Sequence, residues 1–162
     1  MRLLLAIVFF AILVPQTAKA QGPSGFAIWT PSELREQERA LNREIGPDHS
    51  ARATLGVYES HRIRMIHREA TGSPEFHTNF VDLWIVESGK ATLVVGGTLV
   101  GAKVLTGAGA ARGDIIGTSI RGGKRYQVSA GDVIHIPARA PHQAVVPEGG
   151  EITYLRIAIP AR

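Results

Sequence analysis

The sequence predicts an all-β sandwich or barrel that is entered through one N-terminal helical arm. From about Ala53 onward, short alternating or apolar runs are separated by glycines, a pattern typical of many short strands. No helix-length pattern lies between these runs, which excludes repeated βαβ units. We expect strands at residues 57–69, 81–86, 91–95, 98–104, 115–120, 125–128, 132–136, 143–146 and 152–159.

The helical arm is predicted from signals at both ends of one segment. Thr30 can cap the helix, a proline follows at the first helical position, and Glu33 completes a capping box. A Gly-Pro pair ends the pattern. Apolar residues recur at helical spacing at Leu34, Leu41 and Ile45. We therefore divide the chain into an arm of residues 21–52 and a barrel of residues 53–162, and we expect the helix to lie across the outside of the barrel or against a partner subunit.

The first twenty residues have the order of a secretory signal peptide. Arg2 precedes an apolar run at residues 3–14, and small residues follow at Ala18 and Ala20. The run is shorter than the roughly twenty residues that span a bilayer, so we expect cleavage after Ala20 and no membrane association afterwards. The chain has no cysteine, which excludes a lipid anchor, thiolate metal ligands and a cysteine nucleophile. The expected location is the periplasm or the exterior of a bacterium.

The charge balance argues against a nucleic-acid partner. The formal net charge is +4, and loss of Arg2 and Lys19 with the signal peptide leaves about +2, a small excess spread along the chain. Arginines at residues 62–68 alternate with Ile63, Met65 and His67. We interpret this run as a strand with one solvated face rather than a phosphate-binding patch.

A glycine- and alanine-rich segment at residues 101–123 interrupts the strand pattern. Within it, residues 107–113 approach a dinucleotide-binding fingerprint, but the third glycine comes one place too late and no strand-to-helix transition surrounds it. We predict a hairpin or loop at the mouth of the barrel.

Histidines and carboxylates concentrate in two segments, residues 75–89 and 131–142. Glu75 and His77 share a face of an extended chain because side chains alternate with a period of two. Asp82 has the opposite parity, so a turn or bulge near Asn79 must bring it round. Convergence of imidazoles and carboxylates would make a mixed nitrogen and oxygen site, suited to one divalent iron, manganese, zinc, nickel or copper ion.

The two segments resemble the paired motifs of the cupin superfamily. His77 matches the second histidine of the first motif, and Gly89 matches its closing glycine. Gly131, Pro137 and His142 match the second motif at its spacing. The resemblance covers residues 57–159 and implies a cupin-type jelly-roll β-barrel of two antiparallel sheets.

Several positions depart from the cupin pattern. Glu75 stands where a histidine is usual and Asp82 where a glutamate is usual. Arg139 replaces a glycine, Val146 an asparagine, and Glu69 a further glycine. Carried over residue by residue, the resemblance implies a metal inside the barrel, with open positions for water or substrate. Its candidate ligands are Glu75, His77, Asp82 and His142.

Two further residues are candidates for contact with a small-molecule ligand. His135 precedes the second motif and is interpreted as a pocket or core residue, whereas Arg139, on the loop beside His142, either reaches an anionic substrate or is exposed to solvent.

Three functions stay open. The first is a metal-binding barrel that holds a small oxygenated ligand. The second is a metal-dependent dioxygenase, decarboxylase or isomerase acting on a small organic acid, phenol or sugar derivative. The third is a metal-free ligand-binding barrel. Cupins commonly dimerise, so the resemblance is also consistent with a homodimer.

Overall fold

The computed structural model describes residues 23–106 and 113–161, so the predicted signal peptide lies outside it. In these ranges one helix, α1 (Pro31–Arg43), precedes all the strands. The strands are β1 (Ser50–Val57), β2 (Arg62–Arg68), β3 (Glu75–His77), β4 (Phe80–Val95), β5 (Thr98–Val100), β6 (Lys103–Val104), β7 (Asp114–Ile116), β8 (Ser119–Arg121), β9 (Lys124–Ser129), β10 (Val133–Ile136), β11 (His142–Val145) and β12 (Ile152–Pro160). The all-β class with a helical arm is confirmed.

Long strand β4 joins two antiparallel sheets. Its first half pairs with β12 and β10, and β12 pairs in turn with β2, which pairs with β1. The second half of β4 pairs with β9 and β11. From β11 this second sheet continues through β3, then β7, and then β6. The sheet curls into a jelly-roll arrangement, as the sequence predicted. Strands β5 and β8 form a separate two-stranded sheet.

Strand β4 also corrects the predicted strand pattern. We expected separate strands at residues 81–86 and 91–95, but the structure has one strand of sixteen residues. Gly89 adopts a φ of +72°, and a Cβ there would clash with the Glu151 carbonyl oxygen. Because only glycine combines this φ with such a close approach, the motif glycine lets β4 continue from one sheet into the other.

Helix α1 lies on the outer face of its own barrel. The predicted capping box is present: the Thr30 side chain accepts from the Glu33 backbone N–H at 3.3 Å, and the Thr30 N–H donates to the Glu33 carboxylate at 2.9 Å. Leu41 is 1% exposed and packs with Ala51 and Met65 of β1 and β2. The first strand begins at Ser50 rather than after Ala53, so the predicted arm included its start. No helix among the described residues is long and apolar enough to cross a bilayer.

Strand β2 is covered on both faces, which corrects the expectation of one solvated face. Met65 lies under α1, and His67, whose Nδ1 is 2.8 Å from the Thr153 hydroxyl, is fully buried. The arginines point the other way, toward the barrel interior, where Arg68 is 5% exposed. A strand of alternating arginine and apolar residues can therefore have two covered faces when a cavity lies on the arginine side.

The glycine-rich segment contains short strands near the positions predicted for them, residues 98–104 and 115–120. Short strands β6, β7 and β8 lie within residues 101–123, although residues 107–112, including most of the rejected dinucleotide-like run, lie outside the described part of the chain. Leu105 and Ile116, at the described ends of this segment, line a cavity that opens into the barrel. The segment therefore borders the barrel mouth, as predicted.

The apolar core fills one half of the barrel interior. Trp84 stacks on Tyr154 with ring centroids 4.2 Å apart. Alternate residues of β4 and β12 contribute to the core because every second side chain of a strand faces inward. The cluster comprises Ile66, Trp84, Val86, Ala91, Leu93, Val128, Ile136, Ala144, Val146, Ile152 and Tyr154. The other half of the interior is polar.

Candidate metal centre

Three strands bring the predicted ligands to the polar half of the barrel. Glu75 and His77 lie on β3, and both side chains face inward, as their spacing predicted. A two-residue turn over Thr78 and Asn79 separates β3 from β4, so Asp82 reaches the same interior despite its opposite parity. His142 begins β11 and is paired in register with Glu75.

Three of the four predicted ligands form a compact group. Ligand atoms of Glu75, His77 and His142 lie within 4.8 Å of one another. Glu75 Oε2 is 3.6 Å from His77 Nε2 and 3.8 Å from His142 Nε2. Metal–nitrogen and metal–oxygen bonds of about 2.1 Å place tetrahedral ligands about 3.4 Å apart. The Glu75 oxygen therefore needs to move only a few tenths of an ångström toward each of the two nitrogens to share a single ion with them.

His142 is oriented as a ligand would be. Its Nδ1 is 3.0 Å from the Ala140 carbonyl oxygen, so this nitrogen carries the proton and donates. Its Nε2 points into the barrel, where it is buried and has no hydrogen-bond partner among the described residues. A buried polar atom without a partner is costly. A cation at the centre would provide the missing partner.

His77 is held by a carboxylate on its far side. Its Nδ1 is 2.7 Å from Asp114 Oδ1, a carboxylate–histidine contact that commonly orients metal-binding imidazoles. On the inner side, Nε2 lies 2.9 Å from Arg156 Nη2 and 3.4 Å from Asp82 Oδ2. When Nε2 is unprotonated, Arg156 donates to it. The same lone pair could instead take a proton or a metal ion.

Asp82 is close to the histidines but is engaged by Arg156. Its Oδ2 accepts from Arg156 Nε at 2.8 Å, and its Oδ1 lies 2.8 Å from Arg156 Nη2. Oδ2 is also 3.6 Å from His142 Nε2. Although burial opposes ionisation, His142, His77 and Arg156 together hold the pKa of Asp82 well below its ordinary value. Asp82 is a charged neighbour of the three-atom group and does not belong to it.

The centre carries excess negative charge. Three carboxylates, Glu75, Asp82 and Asp114, lie around His77, and Arg156 is the guanidinium closest to it. Burial opposes ionisation of Glu75, but contacts with His77, His142 and Arg156 lower its pKa to about 2. Burial also opposes protonation of His77, yet these three carboxylates raise its pKa to about 11. The raised pKa of His77 means that the carboxylates favour a cation at its ring, either a proton or a metal ion.

The two predicted ligand-contact residues lie elsewhere. Ile136 faces the core, so its neighbour His135 faces outward and is exposed, which corrects the expectation of a pocket or core residue. Arg139 is also exposed, in agreement with the solvent alternative, and adopts a φ of +64°. That left-handed conformation explains why the cupin pattern has glycine at this position. Neither side chain lines the cavity beside the centre.

Sequence reasoning missed Arg156 and Asp114. Arg156 is 7% exposed and lies on β12 two residues after the core residue Tyr154. An arginine at an inward position of an apolar strand was the signal that could have identified it. Asp114 starts β7 in register with His77, but nothing in the local sequence of a glycine-rich segment indicates that pairing.

A cavity of about 430 Å³ opens beside the centre. Its walls include Glu75, His77, Asp114 and Arg156 from the centre, with Arg52, Arg64 and Arg68 on the β1–β2 side. The described part of Leu105–Thr106 and the start of β7 close the opposite side. A small molecule in this cavity would contact Glu75 and His77 of the three-atom group directly, whereas His142 does not line the cavity.

Several solved structures align with about 70% of this chain. A cupin 2 conserved barrel domain protein from Rhodopseudomonas palustris aligns at 19% identity and TM-score 0.48, over 70% of this chain and 62% of that one. An oxalate oxidase aligns at 17% identity and TM-score 0.49, over 71% of this chain and 53% of that one. The protein TT1209 from Thermus thermophilus aligns at 13% identity and TM-score 0.51, over 72% of this chain and 88% of that one.

This chain thus spans less than two thirds of the length of the cupin 2 protein and about half that of the oxalate oxidase. No protein-family profile matches the sequence, and no curated protein matches it. At these identities the likeness concerns the fold alone. The curled antiparallel sheets and the inward placement of the motif residues His77 and His142 agree with it. The fold of this chain is a jelly-roll β-barrel of curled antiparallel sheets.

Proposed function

We propose that this protein is an exported cupin that binds one divalent transition metal between Glu75, His77 and His142. A small oxygenated ligand would bind at the open positions of that metal, in the adjoining cavity. The observation that carries the proposal is the convergence of three ligand atoms within 4.8 Å, one of which, His142 Nε2, is buried without a partner among the described residues. Two imidazoles and a carboxylate suit iron, manganese, zinc, nickel or copper.

The surrounding carboxylates support metal binding without being ligands themselves. Asp114 holds the His77 ring through Nδ1 and leaves Nε2 for the ion. Asp82 is paired with Arg156, and its negative charge would help to neutralise a divalent ion. We expect Asp82 to have the smallest effect of the four predicted ligands, because its oxygens are already occupied by the guanidinium.

Ligand binding is the role that this geometry supports best. A bound divalent metal supplies Lewis acidity and a site for an oxygen ligand. The enzyme alternative needs a general acid or base beside the open position of the metal, and the histidine nearest a motif that could serve is His135. Its outward direction removes that support. The cavity of about 430 Å³ is in the range of small-molecule sites.

A metal-free ligand-binding barrel is the second candidate, and one observation favours it. Arg156 Nη2 lies 2.9 Å from His77 Nε2 and 2.8 Å from Asp82 Oδ1. In this position the guanidinium already supplies positive charge where a metal would bind. Metal binding at His77 requires that Arg156 release Nε2, so metal content decides between the two candidates.

Elemental analysis of untagged protein, purified without chelator from a periplasmic extract, tests the proposal. We expect near-stoichiometric transition metal in the wild type and its loss in both His77→Ala and His142→Ala. The variant His135→Ala is the matched control, because it removes an exposed imidazole outside the centre, and it should keep its metal. Absence of metal in the wild type, even after reconstitution with each of the five metals, would leave the metal-free barrel as the better account.

Export and assembly are also proposed. The signal-peptide pattern of residues 1–20 supports periplasmic or extracellular location. Intact-mass measurement of the exported protein should show a mature chain beginning at Gln21. The family resemblance supports a homodimer, which sedimentation would test. In the structure the apolar stripe of α1 packs on its own barrel, so a dimer would have to use another surface.

A further inference from the structure

The cavity beside the metal centre has an arginine-rich wall that the proposed metal site does not explain. Four arginines and two carboxylates line the cavity. The carboxylates, Glu75 and Asp114, belong to the centre. Three of the arginines, Arg52, Arg64 and Arg68, come from the inward face of β1 and β2, away from the ligand strands β3 and β11. The centre favours a cation, whereas this wall favours an anion.

Arg64 differs from the other three arginines in its lack of an acidic partner within the described residues. Arg156 pairs with Asp82 at 2.8 Å, and Arg52 pairs with Asp48 at 3.0 Å. Arg68 lies 4.0 Å from Glu75 and donates to the Tyr154 hydroxyl.

For Arg64, no carboxylate lies within 4.0 Å among residues 23–106 and 113–161. The remaining residues of the sequence contain no aspartate or glutamate that could serve as its partner.

The position of Arg64 is electrostatically unfavourable without an anion. It is directly opposite Arg156 in the β2–β12 register, so the two guanidinium side chains leave the sheet on the same face. Like charges at directly opposite positions destabilise a sheet. Burial, and then the charges of Arg62, Arg156 and Arg52, lower the pKa of Arg64, and Asp114 opposes them. A negative charge in the cavity would relieve this repulsion.

We infer that Arg64, with Arg52 and Arg68 beside it, forms a recognition site for the carboxylate of a small organic acid. A planar guanidinium binds a carboxylate through two parallel hydrogen bonds, which makes arginine well suited to the task. The cavity wall also includes Ile66, Ile115 and Ile116, which would pack against the carbon skeleton of an organic acid and would gain nothing from an inorganic anion.

The inference deepens the proposed function and rests on it in one respect: the oxygen end of the acid would reach the metal while its carboxylate meets Arg64. The carboxylate site itself consists of arginines that are not metal ligands. It should therefore persist in protein from which the metal has been removed, and this separates the two proposals experimentally.

Isothermal titration calorimetry with succinate and its neutral diamide tests the site, on protein as isolated and after chelator treatment. We expect succinate to bind both forms and the diamide to bind at least tenfold more weakly. Arg64→Gln should weaken succinate binding about tenfold or more, as expected for loss of a charged hydrogen-bond partner. Arg62→Gln is the matched control, because Arg62 lies on the same strand but does not line the cavity, and its affinity should equal that of the wild type.

Equal affinity for the acid and the diamide, or wild-type affinity in Arg64→Gln, would overturn the carboxylate site. Metal content of Arg64→Gln, measured in parallel, should remain that of the wild type. If the protein proves metal-free but succinate binding still depends on Arg64, the metal proposal fails and the carboxylate site stands. If metal is present and succinate shows no preference over the diamide, the carboxylate site fails alone.

Discussion

The two halves of the barrel interior are built on the same strands but with opposite kinds of side chain. Strand β4 contributes Asp82 to the polar half and Trp84 to the apolar half, two residues apart. Strand β12 does the same with Arg156 and Tyr154. The backbone scaffold does not distinguish the halves, so their difference lies in the side chains alone.

The apolar half of the interior stabilises the fold, whereas the buried charges of the polar half destabilise it. Burial of apolar side chains stabilises the fold by roughly 25 cal/mol per Å². Burial of ionised groups costs several kcal/mol per ion and is offset only by close pairing. Asp82 and Arg156 are 1% and 7% exposed. Both ions have therefore lost their contact with water, and their mutual pairing must offset the cost of that loss. We therefore expect substitutions in the apolar half to lower stability and substitutions in the polar half to act mainly through charge imbalance.

The largest effect should follow from Trp84→Ala in the apolar half. Trp84 is 2% exposed and stacks on Tyr154, and replacing such a side chain costs about 3–5 kcal/mol of unfolding free energy. Urea denaturation followed by circular dichroism would measure it. The matched control is Trp29→Ala, which removes the other tryptophan from a half-exposed site before α1. Equal destabilisation by both changes would contradict the assignment of the core.

A smaller effect is expected from Arg156→Met, which leaves Asp82 buried without its guanidinium. Breaking a buried pair from one side costs about 3 kcal/mol. The double change Arg156→Met with Asp82→Asn should recover most of that loss, since it removes both charges, and denaturation of the three proteins forms the test. Arg139→Met, at an exposed arginine, should leave stability unchanged. A double variant no more stable than Arg156→Met would show that the pair is not the reason for the loss.

The smallest effect is a pH dependence of the metal-free protein, which sharpens the contrast because only the polar half titrates. The pKa of Glu75 is lowered from 4.5 to about 2, so its contribution is complete above pH 4.5 and is lost as the pH falls toward 2. The pKa of His77 is raised from 6.5 to about 11, so its contribution is complete below pH 6.5 and is lost as the pH rises toward 11.

Chelator-treated protein should therefore be most stable between about pH 4.5 and 6.5, as judged by denaturation midpoints across a pH series. His77→Gln should remove the alkaline decline and reduce the acidic one, because contact with His77 helps to lower the pKa of Glu75. Constant stability from about pH 6.5 to 9 in the wild type would show that His77 is not protonated in the folded, metal-free state.

Local patterns were sufficient for much of the fold. The capping box at Thr30 and Glu33 predicted α1, and the two-residue period predicted the shared face of Glu75 and His77. The sequence does not fix which face of β10 His135 occupies. A shift of one residue in the pairing of a strand moves each of its side chains to the other face of the sheet. Contacts between segments that are distant in the sequence could not be predicted from local patterns either. Asp114 meets His77 across 37 positions of sequence, and Arg156 meets it across 79.

The place of β12 between β2 and β4 has a consequence for the order of folding. The C-terminal strand pairs with both neighbours over nearly its whole length and supplies Arg156 to the interior. The first sheet is therefore incomplete until the end of the chain is available, however long the N-terminal strands have existed. Long-range pairings of this kind slow folding. A nascent chain that has not yet reached Ile152 can hold β1 and β2 as a hairpin, but it cannot close the barrel until residues 152–160 have been made.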